Sequence, residues 1–309
     1  MLVRKYGRSN LDYFKTYFDK QVFFNAARNA FVAYKVAKNY AVVLETPVSA
    51  SAAALPSVLR EFEFFCRESG LQPVYFRVSG DNLNLFGKKK SLRIGQEAWT
   101  DVQTFTLEGK DAKPLRNAIN RAEKEQMVFQ IYEEPVRMGV LQKCKEVSDA
   151  WLAEGRHEIG FSGGVFSYEE LRQQTLLTVE DAEERVIAFM NLIPDYAPGE
   201  ATYDLMRRLP GSPGWVIDFL MVNLLLHLRN TGFQRLHLGL TPMAGIQGKS
   251  LPERTLQFAY HKVKAFAHYQ GMRAFKEKFA HFWEDRYLVY SSDADLLAMP
   301  GVLTAIEKV

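Results

Sequence analysis

At 309 residues the chain is long for one domain, and two units of about 150 residues each are the better expectation. A hydrophobic content of 47% with 24% charged residues is typical of an ordinary globular protein. The net charge of +3 is too small to indicate a nucleic-acid binder by itself, although it favours anionic partners such as phosphates or lipid headgroups.

Cysteine and histidine usage predicts a chain without a metal site. Cys66 and Cys144 lie far apart and form no metal-binding pair, and the six histidines show no metal-binding spacing. We therefore expect free thiols and a reducing compartment. The N-terminus lacks the apolar core of a signal peptide, and no stretch is long and apolar enough to span a membrane, so we expect the chain as given to be soluble.

The first half of the chain predicts a hairpin, a helix and a strand, in that order. Residues 30–36 and 40–45 form apolar runs separated by a short turn. A helix follows from about Ser51 and ends at Gly70, and residues 73–78 predict the next strand.

The second half repeats this order at an offset of 162 residues. Strands are expected near 185–193 and 201–207, a helix from about Val216 to Asn230, and a strand in "RLHLG". The segments "RESGLQPVYF" (67–76) and "RNTGFQRLHL" (229–238) also match in sequence. A chance match is the alternative, but we interpret the pattern as two copies of one α/β unit. The expected division is residues 1–110, a linker of 111–134 and a second unit of 135–309.

A basic helix is predicted between the two copies, in "DAKPLRNAINRAEKEQ" (111–126), with Asp111 as its cap. Its cations are spread over a broad face: Lys113, Arg116, Arg121 and Lys124. Such a face is either a binding surface for nucleic acid or an ordinary solvated surface.

One strand of the second copy carries charges where the first copy is apolar. "TYDLMR" (202–207) aligns with "YAVVLE" (40–45), so the scaffold does not require polar residues there. Burying an unpaired carboxylate would cost several kcal/mol, so Asp204 must be paired or line a cavity. A regular strand would place Asp204 and Arg207 on opposite faces, whereas a β-bulge would bring them together. The alternative is an ordinary ion pair on an edge strand.

Three further segments carry candidate functional residues. Asp218 lies in the first turn of the helix that follows this strand, where it suits the helix dipole. The glycine-rich loop in "WLAEGRHEIGFSGGVF" (151–166) carries Glu158 and Ser162. In "GMRAFKEKFAHFWEDRYLVY" (271–290), cations beside an apolar helical stripe suit a phosphate-bearing ligand: Arg273, Lys276 and Lys278.

Together with "GRSNLDYFKTYFDK" (7–20) and "GFQRLHLGLTPMAGI" (232–246), these blocks occur in an order that resembles the catalytic domain of the bacterial multiple peptide resistance factor family. This family comprises the lysyl- and alanylphosphatidylglycerol synthases. The resemblance extends from about Tyr6 to Tyr290. It implies two tandem acetyltransferase-like (GNAT) units, with mixed sheets and flanking helices, joined by the basic helix.

The activity that the resemblance implies is transfer of a lysyl or alanyl group from aminoacyl-tRNA to a hydroxyl of phosphatidylglycerol, which lowers the negative charge of the membrane and thereby the attraction of antimicrobial peptides. On this basis Asp204, Arg207 and Tyr203 are the expected catalytic residues. Asp204 would hold the α-ammonium group, and Arg207 would face the lipid phosphate or the tRNA terminus. The loop residues Glu158 and Ser162, with Asp218 and the cations of 271–290, would bind substrate, and the basic helix would bind tRNA.

The general base is left open between Tyr203, His237 and the amine of the substrate. No cofactor is expected: "RESGLQ" and "RNTGFQ" are only near matches to the pyrophosphate loop of coenzyme A enzymes. Family members carry N-terminal membrane helices that this chain lacks, so we expect a peripheral protein, or an excised domain, at the cytoplasmic face of the inner membrane. Lys264, Ala265 and Gln270 stand where relatives have an acidic residue, which leaves the choice between lysine and alanine open. The alternatives are a catalytically silent tRNA- or lipid-binding module and a peptidoglycan-type transferase with an amine acceptor.

Overall fold

The computed structural model describes residues 2–244 and 265–308, with only the backbone of residues 265–270. The strands in this part of the chain are β1 (Gln21–Phe24), β2 (Ala30–Ala37), β3 (Tyr40–Leu44), β4 (Val48–Ser49), β5 (Gln72–Ser79), β6 (Lys90–Asp101), β7 (Val128–Tyr132), β8 (Thr175–Glu180), β9 (Val186–Ile193), β10 (Glu200–Arg208), β11 (Arg235–Pro242) and β12 (Phe282–Tyr290). The α-helices are α1 (Leu2–Tyr6), α2 (Leu55–Glu68), α3 (Lys113–Lys124), α4 (Met138–Ala153), α5 (Tyr168–Arg172), α6 (Trp215–Asn230), α7 (Ala265–Glu277) and α8 (Asp293–Glu307).

These strands form one mixed sheet with helices packed against it, which confirms the expected fold class. The strand order is β1-β2-β3-β5-β12-β6-β11-β10-β9-β8-β7, and β4 pairs with β2 outside this path. Two neighbouring pairs are parallel, β3 with β5 and β10 with β11, and the other pairs are antiparallel. Each parallel pair is connected through a helix, since two parallel neighbouring strands need a long crossover connection.

The two halves of the sheet contain the repeat that the sequence predicts. In the first half, the β2–β3 hairpin turns at Lys38-Asn39, α2 follows, and β5 lies parallel to β3. In the second half, β9 and β10 form the hairpin, α6 follows, and β11 lies parallel to β10.

The halves exchange one strand each at the centre of the sheet. β6 follows the first half in sequence but pairs with β11 of the second, while β12 follows the second half and pairs with β5 of the first. β6 and β12 pair with each other from Phe282↔Trp99 to Tyr290↔Lys90. As a result, α8 and β12 share an apolar core with β3 and β5, through side chains such as Leu288, Leu296 and Val302.

Helix α6, which follows the polar strand β10, is almost wholly apolar because most of its residues are buried. Eleven of its 16 residues are buried, because it lies between one face of the sheet and α3. A helix covered on several sides needs apolar residues all round. α3 contributes Leu115, Ala118 and Ala122 to this contact.

The expectation that Asp111 caps α3 is wrong. Ala112 occupies the N-cap position, and no side chain caps the helix. Both cysteines are free, as predicted, and both are buried. Within the described ranges, no helix is both long and apolar enough to cross a membrane.

Candidate active site

The polar strand β10 is an interior strand with a β-bulge at its centre. It lies between β9 and β11, so the edge-strand interpretation is wrong. Tyr203 pairs with Leu192 and Met206 with Met190, so two residues of β10 stand opposite one residue of β9. Asn191 is that residue, and its side-chain oxygen accepts the otherwise unpaired N–H of Leu205 at 2.8 Å. Of the two arrangements considered from the sequence, a regular strand and a bulged one, the bulge is therefore present, and it is held by a buried amide.

β10 and β11 separate just before the bulge. Their pairing ends at Thr202↔His237, and β11 has its own irregularity between His237 and Gly239. Side chains satisfy carbonyls of β11 beyond this point: the Tyr203 hydroxyl donates to the Leu238 carbonyl at 3.3 Å. Lys276 donates to the next two carbonyls in the chain, at 2.9 and 2.8 Å. The sheet thus opens at its centre without leaving these carbonyls unbonded.

Asp204 lies at this opening, held by the glycine-rich loop between α4 and α5. The N–H of Gly164 donates to Oδ1 of Asp204 at 2.9 Å. A Cβ on residue 164 would stand 1.8 Å from Oδ2, so only glycine fits there. Gly164 therefore serves the close approach of backbone to a carboxylate of the protein itself.

Asp204 is partly exposed as a residue, but burial of its carboxyl group raises the pKa of this group to about 6. The Gly164 N–H and the charge of Arg207 oppose this rise, while Glu158 adds to it. A carboxylate with a raised pKa in an enclosed position is typical of a functional group rather than of a surface ion pair.

Arg207 and Glu158 form an ion pair beside Asp204. Both terminal nitrogens of Arg207 donate to the Glu158 carboxylate, one of them at 3.1 Å, and one also donates to the hydroxyl of Ser148. The guanidinium lies 4.8 Å from the ring centroid of Trp151 and is 4% exposed as a residue. Glu158 also accepts the N–H of Phe166 at 3.2 Å. Arg207 therefore holds the loop to the strand.

Two tyrosines of the N-terminal segment contribute to the other side of the site. The hydroxyl of Tyr17 accepts the N–H of Val165 at 3.4 Å, and that of Tyr13 donates to Glu170. Burial raises the pKa of both phenols, and the charge of Asp204 raises it further. Gln174 connects Tyr13 to Asn191 through hydrogen bonds of 2.5 and 2.7 Å. The first unit thus helps to build a site that belongs mainly to the second.

A buried charge cluster lies on neighbouring strands. Glu97, 1% exposed, accepts from Arg286 at 2.7 Å, pairs with Arg77 at 3.2 Å and also bonds Asn10. Burial opposes ionisation of Glu97, but the two arginines outweigh it and lower its pKa. Arg77 has φ of +66°, a strained conformation for a non-glycine residue that costs about 1–3 kcal/mol. It donates to the Ser162 carbonyl at 3.4 Å and so connects the cluster to the loop.

Lys276 belongs to the same buried region rather than to a surface. It is 5% exposed, and burial lowers its pKa to about 7, while the charge of Glu97 opposes this shift.

The other charged residues predicted to bind substrate form ion pairs or ring contacts with side chains of the protein. Lys278 bonds both carboxylate oxygens of Asp218 at 2.8 Å, which joins the ends of α7 and α6. Arg273 donates to Glu277 at 2.7 Å and lies 4.9 Å from the ring centroid of Trp283. Lys264 falls outside the described residues, as do the side chains of Ala265 and Gln270.

Three of the four cations of α3 are exposed: Lys113, Arg121 and Lys124. The fourth, Arg116, is partly buried and donates to loop carbonyls, at 2.8 Å to that of Gly109. The helix therefore presents a basic outer face, while Arg116 fixes the preceding loop.

A cavity of about 490 Å³ opens between the N-terminal segment and the starts of β10 and β11. Its polar lining includes Arg8, Glu200, Arg235, His237 and Arg286. Asp204 and Arg207 do not line this cavity. The shared strands β10 and β11 nevertheless connect it to the Asp204 site.

A sequence model of the family described as "Phosphatidylglycerol lysyltransferase, C-terminal" matches residues 1–290. The chain belongs to this family. Among curated relatives, the phosphatidylglycerol lysyltransferase of Bacillus subtilis (strain 168) is 29% identical over 294 residues, which cover 93% of this chain and 34% of the relative. The one from Staphylococcus haemolyticus is 30% identical over 300 residues, covering 96% and 36%. The chain thus spans about a third of the length of these lysyltransferases.

Solved structures of the family share its fold over the whole chain. L-PGS from Bacillus licheniformis has a TM-score of 0.85 at 25% identity, covering 100% of this chain and 95% of that one. The C-terminal domain of a putative lysylphosphatidylglycerol synthetase from Agrobacterium fabrum has a TM-score of 0.86 at 27% identity, covering 99% and 94%. FemX has a TM-score of 0.59 at 10% identity, covering 96% of both chains, which is a likeness of fold alone. The family resemblance from the sequence blocks is confirmed.

Proposed function

We propose that this chain transfers an aminoacyl group from aminoacyl-tRNA to a hydroxyl of phosphatidylglycerol. The observation that carries the proposal is Asp204, a carboxylate enclosed at the point where two parallel strands separate, in a member of the phosphatidylglycerol lysyltransferase family. An enclosed carboxylate suits an ammonium group, since two opposite charges removed from water stabilise each other strongly.

The transfer needs positioning more than chemical activation. An aminoacyl ester is already activated, so moving the acyl group to another alcohol is close to isoenergetic and needs no ATP, metal or coenzyme A. Positioning of two substrates can contribute about 7–11 kcal/mol, and one donor to the tetrahedral oxyanion about 3 kcal/mol. We propose that Asp204 holds the α-ammonium group of the donor and that Arg207, through Glu158, fixes the loop that shapes this site.

The two large substrates would contact different parts of the chain. The exposed cations of α3 would contact the phosphates of tRNA, and Ser162 with Arg273 and Lys278, which are not buried, would contact the lipid headgroup. The donor would be lysyl-tRNA, in keeping with the names of the relatives, or alanyl-tRNA. The protein would act at the cytoplasmic face of the inner membrane, either as a peripheral protein or as one domain of a longer chain.

The test is an assay with tRNA that carries labelled lysine or alanine, mixed with phosphatidylglycerol vesicles and scored for label in the lipid phase. Vesicles of phosphatidylethanolamine and a peptidoglycan precursor with a free amine serve as acceptor controls. Label in phosphatidylglycerol alone supports the proposal. Label on the amine would instead indicate a peptidoglycan-type transferase, and no label on any acceptor would indicate a silent binding module.

A further inference from the structure

His237 occupies the last pair of β11 with β10 before the strands separate. Its Nε2 lies 2.7 Å from Oε2 of Glu200, and the residue is 5% exposed. Burial opposes ionisation of Glu200, but the hydrogen bond from His237 and the charge of Arg235 outweigh it and lower the pKa of this carboxyl group. An ionised carboxylate can only accept, so Nε2 carries the proton and Nδ1 is left as the basic nitrogen.

That second nitrogen is buried and has no hydrogen-bond partner in the part of the chain that the structure describes. Leaving a buried acceptor unpaired is costly, and such exceptions in folded proteins call for an explanation. His237 also lines the cavity of about 490 Å³, together with Glu200. A hydroxyl group entering from this cavity would supply the missing donor.

The surrounding side chains favour hydrogen bonding over a metal site. Asp195, Glu200 and His237 each have one atom that could bind a metal ion, and these atoms lie within 4.8 Å of one another. However, Asp195 already accepts from the hydroxyl of Thr202 at 2.6 Å and from the N–H of Ala197 at 3.0 Å. We therefore assign this cluster to orienting the imidazole.

We propose that Nδ1 of His237 is the general base that takes the proton of the acceptor hydroxyl, with Glu200 as the residue that positions the ring. This inference rests on the proposed function. As the hydroxyl oxygen bonds to the ester carbonyl carbon, its proton passes to Nδ1. When the bond from this carbon to the ribose oxygen of tRNA breaks, the imidazolium returns the proton to that oxygen. One ester forms, one ester breaks, and no proton is gained or lost.

The spacing along β10 suits this division of roles. Asp204 lies two residues beyond Thr202, the partner of His237, which is about 7 Å along a strand. In an aminoacyl ester, the carbonyl carbon lies two bonds from the ammonium nitrogen. An ammonium group at Asp204 would therefore place this carbon towards His237. A carboxylate that keeps the substrate amine protonated also makes this amine a poor base.

The remaining candidate fits less well. Tyr203 donates its hydroxyl to the Leu238 carbonyl, its ring packs against the core that contains α6, and it does not line the cavity. Burial alone raises the pKa of this phenol, which makes the loss of its proton harder.

The inference is tested with His237→Gln, whose amide can still donate to Glu200 but offers no basic nitrogen. With labelled lysyl-tRNA and phosphatidylglycerol vesicles, we expect kcat to fall about 100-fold or more, the usual contribution of a general base, while KM for both substrates changes less than threefold. His281→Gln, an exposed histidine at the start of β12, is the matched control and should retain wild-type rates. Glu200→Gln, which keeps an acceptor oxygen but no charge, should lower kcat about 10-fold.

A His237→Gln enzyme with kcat within threefold of wild type would overturn the assignment while leaving the proposed function intact. Where His237→Gln fails to fold, as judged by its melting curve, an unchanged kcat in Glu200→Gln would overturn it in the same way. Absence of transfer by the wild-type chain would overturn the proposed function and this inference together.

Discussion

The backbone N–H of Gly164 donates a hydrogen bond to Oδ1 of Asp204 at 2.9 Å, and a Cβ on residue 164 would stand 1.8 Å from Oδ2. The loop and the carboxylate therefore fix each other. A carboxylate that moves by about 1 Å loses its alignment with a bound ammonium group, and such misplacement can cost about 100-fold in rate.

Gly164→Ala should therefore lower transfer by about 100-fold, because the new methyl group must displace the carboxylate. The measurement is kcat/KM for aminoacyl-tRNA. Gly139→Ala, within α4, is the control: its Cβ would meet no atom within 4 Å, and alanine favours a helix, so activity should be unchanged. Equal activity of the two variants would show that the contact with Asp204 is not needed.

Asp204→Asn should stabilise the protein at neutral pH. The native pKa of about 6 lies above 3.8, the ordinary value for an aspartate, so the ionised group destabilises the fold. This cost is absent below about pH 4 and fully present above about pH 6, and two pKa units correspond to about 2–3 kcal/mol at most. We expect the variant to gain about 1–2 kcal/mol over wild type in urea unfolding at pH 7.5 and nearly nothing at pH 4. A variant that is less stable than wild type at pH 7.5 would contradict the account.

Arg207→Met should destabilise the protein by about 2–4 kcal/mol, because it leaves the Glu158 carboxylate without its buried partner. The control is Arg156→Met: both guanidinium groups lie 4.8 Å from the Trp151 ring centroid, but Arg156 is exposed. Combining Arg207→Met with Glu158→Gln should recover part of the loss. Urea unfolding of wild type, Arg207→Met, Glu158→Gln and the double variant measures this coupling. Strictly additive losses would show that the two charges act independently.

The triple variant Lys113→Ala/Arg121→Ala/Lys124→Ala should weaken binding of tRNA and reduce its dependence on salt. Each lost phosphate contact lowers the slope of log K against log salt by about 1, so a reduction of about 2–3 is expected. Titration with charged tRNA between low and moderate salt measures the slope.

The control for this variant removes three exposed cations from the first unit: Arg60, Arg67 and Lys88. Its net charge is equal, so its slope should remain close to that of wild type. Equal slopes for the two triple variants would show that α3 is an ordinary solvated surface.

Local sequence patterns were sufficient to predict much of this arrangement. The repeat, the buried helix α6 and the bulge in β10 follow from apolar periodicity and from one interrupted strand. Asp204 was singled out because a carboxylate is costly in an apolar strand. The same criterion applies to Arg77, Glu97 and Arg286, which also interrupt buried strands but were not identified.

Other features depend on pairings between distant parts of the chain. The exchange of β6 and β12 joins strands that are separated by the whole second unit, and no local pattern specifies such partners. Asp218 and Lys278 were each predicted to bind substrate, yet they are 60 residues apart and bond each other. The tyrosines beside Asp204 come from the N-terminal segment of the other unit, so sequence position did not connect them with the site.

The central claim, that the carboxylate of Asp204 holds the ammonium group of the donor, is tested most directly by Asp204→Asn. Initial rates of label transfer from lysyl-tRNA and alanyl-tRNA to phosphatidylglycerol vesicles are compared with those of wild type at pH 7.5. We predict a loss of about 100-fold or more in kcat/KM for the aminoacyl-tRNA in a variant at least as stable as wild type. A folded variant that transfers label within threefold of the wild-type rate would contradict it.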